Sequence, residues 1–326
     1  MAHNARKEDY QRLGLAFSRS LEEMDPLAAA KAFAGFGQRY AQDRDGLPQT
    51  DADRAFNLVV LATDVIDHQL PFAAESADAQ LIERGHQLLG EALSLDPNCF
   101  DAQRMESSSH ATSISERFAF LAEKVDEVQR VCEAAHDAAF DERDPERSEL
   151  ASEIAMRPYW RWLACMAEEA LIIGRNHKVL ELGERLLASD PHDSCDVRFT
   201  MAYAYAKLED ETGLDALASR YPAICPKRNV PDAWMSLARI ALAHRRHDMA
   251  GARRLVVELL QNYPSGARML IRQGEIPDGE FSRLYVEPYS EDEIILAISE
   301  GIVLLQDGND RSGHGVLGTW LAQVVS

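Results

Sequence analysis

The sequence predicts an all-α chain, an α–α superhelix built from degenerate helical hairpins, and three observations carry that reading. Apolar residues recur at i, i+3, i+4 and i+7 along nearly the whole chain, while the alternating runs of half-buried strands are almost missing. From Ser148 onward, helix, tight turn, helix and proline recur as a unit, the stops falling at Pro191, Pro222 and Pro264. The 326 residues are 46% hydrophobic with charges interspersed, so the chain can bury a sizeable core and is not a disordered tail.

The elements follow in order. Residues 7–24 and 26–42 read as two helices, with Asp25 placed to cap the second and Pro26 at its first position. After the polar connector 43–49, Asp51 or Asp53 opens a helix that Pro71 stops near Leu70. Ser76 opens another, with Leu81, Leu88, Ala92 and Leu95 as its core stripe, and Asp96-Pro97-Asn98 ends it. A helix begins over 99–107, and a long one runs from about Ser113 to Phe140 with Leu121, Val125, Val128 and Cys132 on one side. Residues 141–147 read as a charged linker. Helices 158–173 and 177–188, then 193–208 and its partner, then 231–246 and its partner form the repeats. Proline spacing sets the units at about 31 and 42 residues, because proline lacks the next helical donor and disfavours helix in the residue before it. Helices over 265–273, 290–306 and 315–325 close the chain, with Asp307-Gly308-Asn309-Asp310 as a turn. The expected organisation is a helical pair over 1–45, N-terminal helical repeats over 51–147, the regular repeats over 148–264 and capping helices over 265–326.

Charge excludes one class of partner. Lys plus Arg number 34 against 54 Asp plus Glu, a formal charge of -20, whereas a protein that neutralises phosphates needs the opposite balance. No nucleic-acid partner is therefore expected. The first residues are charged and lack an apolar h-region, and no run of about 18 uncharged apolar residues occurs, so neither a secretory signal nor a membrane span is expected. Five scattered cysteines without a C-x-x-C pair fit a reducing cytoplasm rather than a zinc ribbon or disulfide framework.

Leu95-Asp96-Pro97-Asn98-Cys99-Phe100-Asp101-Ala102 resembles the junction between successive tetratricopeptide repeats. Arg157-Pro158-Tyr159-Trp160-Arg161 and Asp190-Pro191-His192-Asp193-Ser194-Cys195-Asp196-Val197-Arg198-Phe199 are more particular. They are similar to the R-P-Y-x-R and N-P-N-D-x-x-x-V-R-Y runs of bacterial tetratricopeptide-like proteins, a group distantly similar to the suppressor-of-tumorigenicity-7 family. The group carries asparagines and glutamine between repeats where this chain has Asp190, His192, Ser194 and Cys195. The resemblance spans roughly residues 85 to 322. It implies tetratricopeptide-like hairpins and a scaffold without catalysis.

The helix over 158–173 carries apolar residues over about 200° of its circumference, so it packs on two sides, as a helix inside a stack does. Its remaining arc holds Arg157, Arg161, Cys165, Glu168 and Glu169. Arg198, Ala202 and Tyr205 form the matching stripe on the next first helix, and Ser236, Arg239 and Arg246 the one after. The expected peptide-binding groove is therefore Arg157, Trp160, Arg161, Arg198, Tyr205 and Arg239, with arginine forks for carboxylates and rings for stacking. The competing arrangement pairs these arginines with Glu168, Asp196 and Glu209 as a solvated face. The pairs Glu83/His86 and Glu133/His136 have the spacing of di-iron ligands, but Glu83 and His86 point away from their helix's apolar stripe, so no metal site is expected. His244-Arg245-Arg246-His247 reads as cations complementing a helix C-terminus.

Nucleophile-elbow, zincin, P-loop and dinucleotide-binding signatures are all missing. The sequence therefore points to a non-enzymatic adaptor, without cofactor, that holds a peptide or helix of a partner protein in its concave face. An alternative is a small-molecule sensor or enzyme with a pocket between the N-terminal helices and the repeats. A third reading is a homodimer with structural duty only.

Overall fold

The computed structural model describes residues 4–140, 144–224, 231–273, 286–308 and 314–326. Among these residues every regular element is helical: seventeen α-helices, two short 3-10 turns and one π-helical turn, with no strand. Two compact units divide the chain, the boundary falling between Trp162 and Leu163 inside the eighth helix.

The N-terminal unit holds α1 (Ala5–Ser20), α2 (Pro26–Ala34), α3 (Phe36–Gln42), α4 (Asp51–Thr63), α5 (Glu75–Leu95), α6 (Phe100–His110), α7 (Ile114–Ala138) and the first part of α8 (Pro145–Ile172). Side-chain caps set several starts. Asp25 accepts from the Ala28 N–H, Ser113 from Glu116, and Thr50 and Asp53 close a reciprocal capping box. Each such cap stabilises its helix by about 1 kcal/mol. One core cluster joins Ala55, Val59 and Ala62 of α4 to Leu88, Leu89 and Ala92 of α5 and Ala102 of α6. A second cluster places Leu13 and Phe17 of α1 against Phe36 of α3 and Leu47.

The C-terminal unit holds the rest of α8, then α9 (Asn176–Ser189), α10 (Val197–Leu208), α11 (Glu211–Ile224), α12 (Ala233–Arg245), α13 (Met249–Asn262), α14 (Gly266–Ile271), α15 (Glu291–Glu300), α16 (Ile302–Leu305) and α17 (Val316–Val325). Helix α10 packs against α9, α11 and α12, and α12 against α13 and α15. Gly183 on α9 allows a close approach to α10: a Cβ there would sit 2.4 Å from the Met201 sulfur. The Tyr203 hydroxyl donates to the Ala297 carbonyl at 2.6 Å, and the Trp234 indole donates to Glu300 at 2.8 Å, tying α15 to α10 and α12. Glu293, fully buried, accepts from the Tyr263 hydroxyl at 2.7 Å and the Tyr289 N–H at 2.7 Å.

Several boundaries differ from the sequence expectation. The helix expected over 26–42 breaks at Gly35 into α2 and α3. The helix opened at Asp51 leaves regular α geometry at Asp64 and finishes in a π-helical turn over Asp64–Gln69. Pro145 and Arg147, expected in a linker, begin α8, and Pro158, expected to open a helix, lies inside it. Packing overrides the proline there: Ser148, Ala151, Ile154 and Met156 on its N-terminal side are all buried. Asp193 and Asp196, expected in the first turn of α10, have left-handed φ of 49° and 57°, so α10 starts only at Val197. Asn309, Asp310 and Cys225 lie outside the described residues.

Candidate functional site

Arginine is the residue on which the expected groove rests, and the structure places its arginines in two kinds of surroundings. Arg157, Trp160 and Arg161 belong to the N-terminal unit. Arg161 is buried, donating from Nε to Asp101 at 2.6 Å and from Nη1 to Glu8 at 2.9 Å, with a second, shorter bond to Asp101. Burial alone would raise the Asp101 carboxyl, but the Arg161 guanidinium holds it down to about 2. Arg12 also reaches Glu8, at 2.8 Å, and stacks on the Phe56 ring. Arg157 is largely covered, donating to Gln11 at 2.8 Å and Glu153 at 2.8 Å. Trp160 is 6% exposed. The acids that hold Arg161 come from α1 and α6, whereas Arg157 pairs with Glu153 one turn earlier on its own helix.

Arg198 and Tyr205 belong to the C-terminal unit. Arg198 is buried and donates to Asp193 at 2.8 Å, with Asp196 also at 2.8 Å, so the left-handed junction ahead of α10 wraps its own guanidinium. Asp193 further accepts from the Val197 and Arg198 N–H groups. Tyr205 is half-buried against Gly213, and burial, followed by Glu184 and Asp210, raises its phenol. Arg161, Arg198 and Trp160 thus sit inside the protein, where the sequence placed them on a ligand-facing surface. Periodicity identifies a residue's face but not the acid that meets it.

Arg239, one of the six, lines an open groove. Helix α12 forms the floor, and α11 and α13 form the walls of a cavity of about 420 Å³. Leu214, Leu242 and Leu255 give it an apolar base, and Arg239, Arg246 and Arg254 enter from α12, its C-terminal turn and α13. Carboxylates alternate with them. Arg239 meets Asp215 at 3.2 Å, Arg246 meets Glu211, and Glu258 lies on the α13 wall. Arg254 is exposed and has no ion pair among the described residues. Asp248 is engaged in capping α13 through the Gly251 N–H at 2.8 Å.

The His244-Arg245-Arg246-His247 turn feeds two cavities. Arg246 faces the α11–α13 groove, while His244, Arg245 and His247 line a second cleft of about 370 Å³ with Leu304, Asp307 and Leu317. Arg245 donates to Asp307 at 2.9 Å. Burial would raise the Asp307 carboxyl, but the Arg245 hydrogen bond and the Lys207 charge hold it below the usual range. His244 rests against Trp320, and burial, then His247 and Arg245, lower its imidazole. The sequence read this turn only as a helix end; successive residues on a helix diverge by about 100°, so the neighbouring Arg245 and Arg246 reach different clefts.

Among the described residues no group of His, Cys, Asp or Glu is arranged to hold a metal ion, and no helix is long and apolar enough to cross a membrane. His86 lies 3.2 Å from Glu106, and His136 lies 3.2 Å from the neighbouring Asp137. Compared with known protein families, curated proteins and solved structures, the chain has no match.

Proposed function

We propose that this protein is a non-enzymatic scaffold of tetratricopeptide-like hairpins stacked as a superhelix, and that its α11–α13 groove receives a carboxylate-bearing segment of a partner protein. The supporting observation is the convergence of Arg239, Arg246 and Arg254 on an apolar-floored groove whose ion pairs are solvent-exposed. An exposed pair contributes at most about 1 kcal/mol, so an incoming carboxylate can replace Asp215 or Glu211 at little cost. A guanidinium binds that carboxylate through two parallel hydrogen bonds, and Leu214, Leu242 and Leu255 offer apolar contact to the rest of the segment. The buried pairs of Arg161 and Arg198 cannot be exchanged in this way, because removing one partner strands a charge in low dielectric. A cytoplasmic setting fits the acidic charge and the cysteines.

The test is capture from source-cell lysate by the wild type and by an Arg239→Ser, Arg246→Ser, Arg254→Ser variant, after circular dichroism shows equal helicity. A protein held by the wild type and lost from the variant supports the groove. Equal retention by both places the binding surface elsewhere.

A further inference from the structure

We propose that α2 is the seat of a two-fold interface between two copies of this chain. The helix reads Pro-Leu-Ala-Ala-Ala-Lys-Ala-Phe-Ala, with Lys31 its only charged residue, yet none of its residues is buried. Leu27 is 81% exposed, Phe33 46% and the preceding Met24 45%. A helix that is apolar on all sides belongs in an interior, and a contiguous exposed apolar patch on a folded surface marks an association site.

The patch is preformed. Asp25 caps its first turn and Pro26 fixes φ at the start. At its end Phe33 stacks on Phe36 and Phe17, with ring centroids 5.8 and 6.3 Å apart, anchoring the helix to the core cluster of α1 and α3. Ala28, Ala30 and Ala34 are exposed and lack bulk, which lets a second backbone approach to about 8 Å.

Charge at the two ends of the helix selects the occupant. Glu23 and Asp25 precede it, Lys31 stands in its last turn and Arg39 follows on α3, all exposed. An antiparallel pair of α2 helices about a two-fold axis sets the acidic start of each copy beside the basic end of the other. That arrangement also aligns opposite helix dipoles, and an isologous contact needs this self-complementarity. A negatively charged lipid surface is disfavoured by the acidic residues Glu22 and Glu23 and by the chain's charge of -20.

Sedimentation equilibrium of the full chain tests the interface. The wild type should move from its single-chain mass of 36.4 kDa toward twice that value as its concentration rises through the micromolar range. Leu27→Glu, at a position too exposed to affect folding, should weaken association about a hundredfold, because the two-fold counts each substitution twice. Lys31→Glu and Glu23→Lys should each weaken it, and the two combined should restore it. A wild type that stays at single-chain mass at its highest soluble concentration overturns the proposal, as does association unaffected by Leu27→Glu. Failure of the double charge swap to restore association overturns the antiparallel arrangement.

Discussion

The buried arginine cluster of the N-terminal unit and the arginine groove of the C-terminal unit use the same side chains against the same carboxylates, to opposite ends. Arg161 lies between Asp101 and Glu8 with all three side chains less than a tenth exposed. Arg239 and Asp215 are 33% and 64% exposed. In the first place water is excluded, each charge is compensated only by its partners, and the cluster fixes α1, α6 and α8 together. In the second place water competes for every pair, so the pairs add little stability and remain available for exchange. Burial, rather than residue type, separates the structural arginines from the candidate ligand-binding ones.

Removing equivalent guanidinium groups separates the two regions by the largest margin. Arg161→Met should cost about 3–5 kcal/mol in urea denaturation, because Glu8 and Asp101 are left buried together. Arg198→Met should cost less, about 2–3 kcal/mol, since Asp193 keeps the Val197 and Arg198 backbone donors. Acid should unmake the N-terminal cluster. Asp101 titrates near 2 in the folded protein against an ordinary 3.8, so it contributes about 2 kcal/mol that is present above pH 4 and lost as pH falls through 2. Denaturation midpoints across that range, with Asp101→Asn as the control that lacks this slope, check the sign.

Smaller effects belong to the C-terminal clefts. The lowered imidazole of His244 means that the unfolded chain takes up its proton first as pH falls below about 6.5. Stability should therefore decline from there down to the folded-state value, and His244→Gln should flatten that part of the profile. Arg239→Met should change stability by less than about 1 kcal/mol while weakening any ligand of the groove. A stability loss as large as that of Arg161→Met would erase the distinction between the two regions.

Helices were legible in the sequence wherever the apolar period and a cap agreed. Asp25-Pro26, Ser113 and Ser290 each mark a start that the backbone uses, with a side-chain oxygen accepting from the N–H three residues on. Pro158 was misleading because a buried flank can carry a helix across a missing donor. The late start of α10 was hidden because Asp193 and Asp196 look like first-turn acids, whereas their left-handed backbone aims Asp193 at Arg198. The groove was half legible: Arg239 and Arg246 fell on one stripe, but Arg254 comes from the following helix. The partners of Arg161 were beyond the pattern, since Glu8 lies 153 residues away and only tertiary packing brings it near. The exposure of α2 was equally hidden, because an apolar run reads the same whether or not the chain itself covers it.

The proposed groove requires that the exposed arginines, and not the buried ones, meet the ligand. An arginine side-chain NMR titration of the folded protein with a triglutamate peptide tests it most directly. Saturable shifts of the Nε–H resonances of Arg239, Arg246 and Arg254 are expected, with those of Arg161 and Arg198 unmoved. Shifts at Arg161 or Arg198 with a silent groove would contradict it.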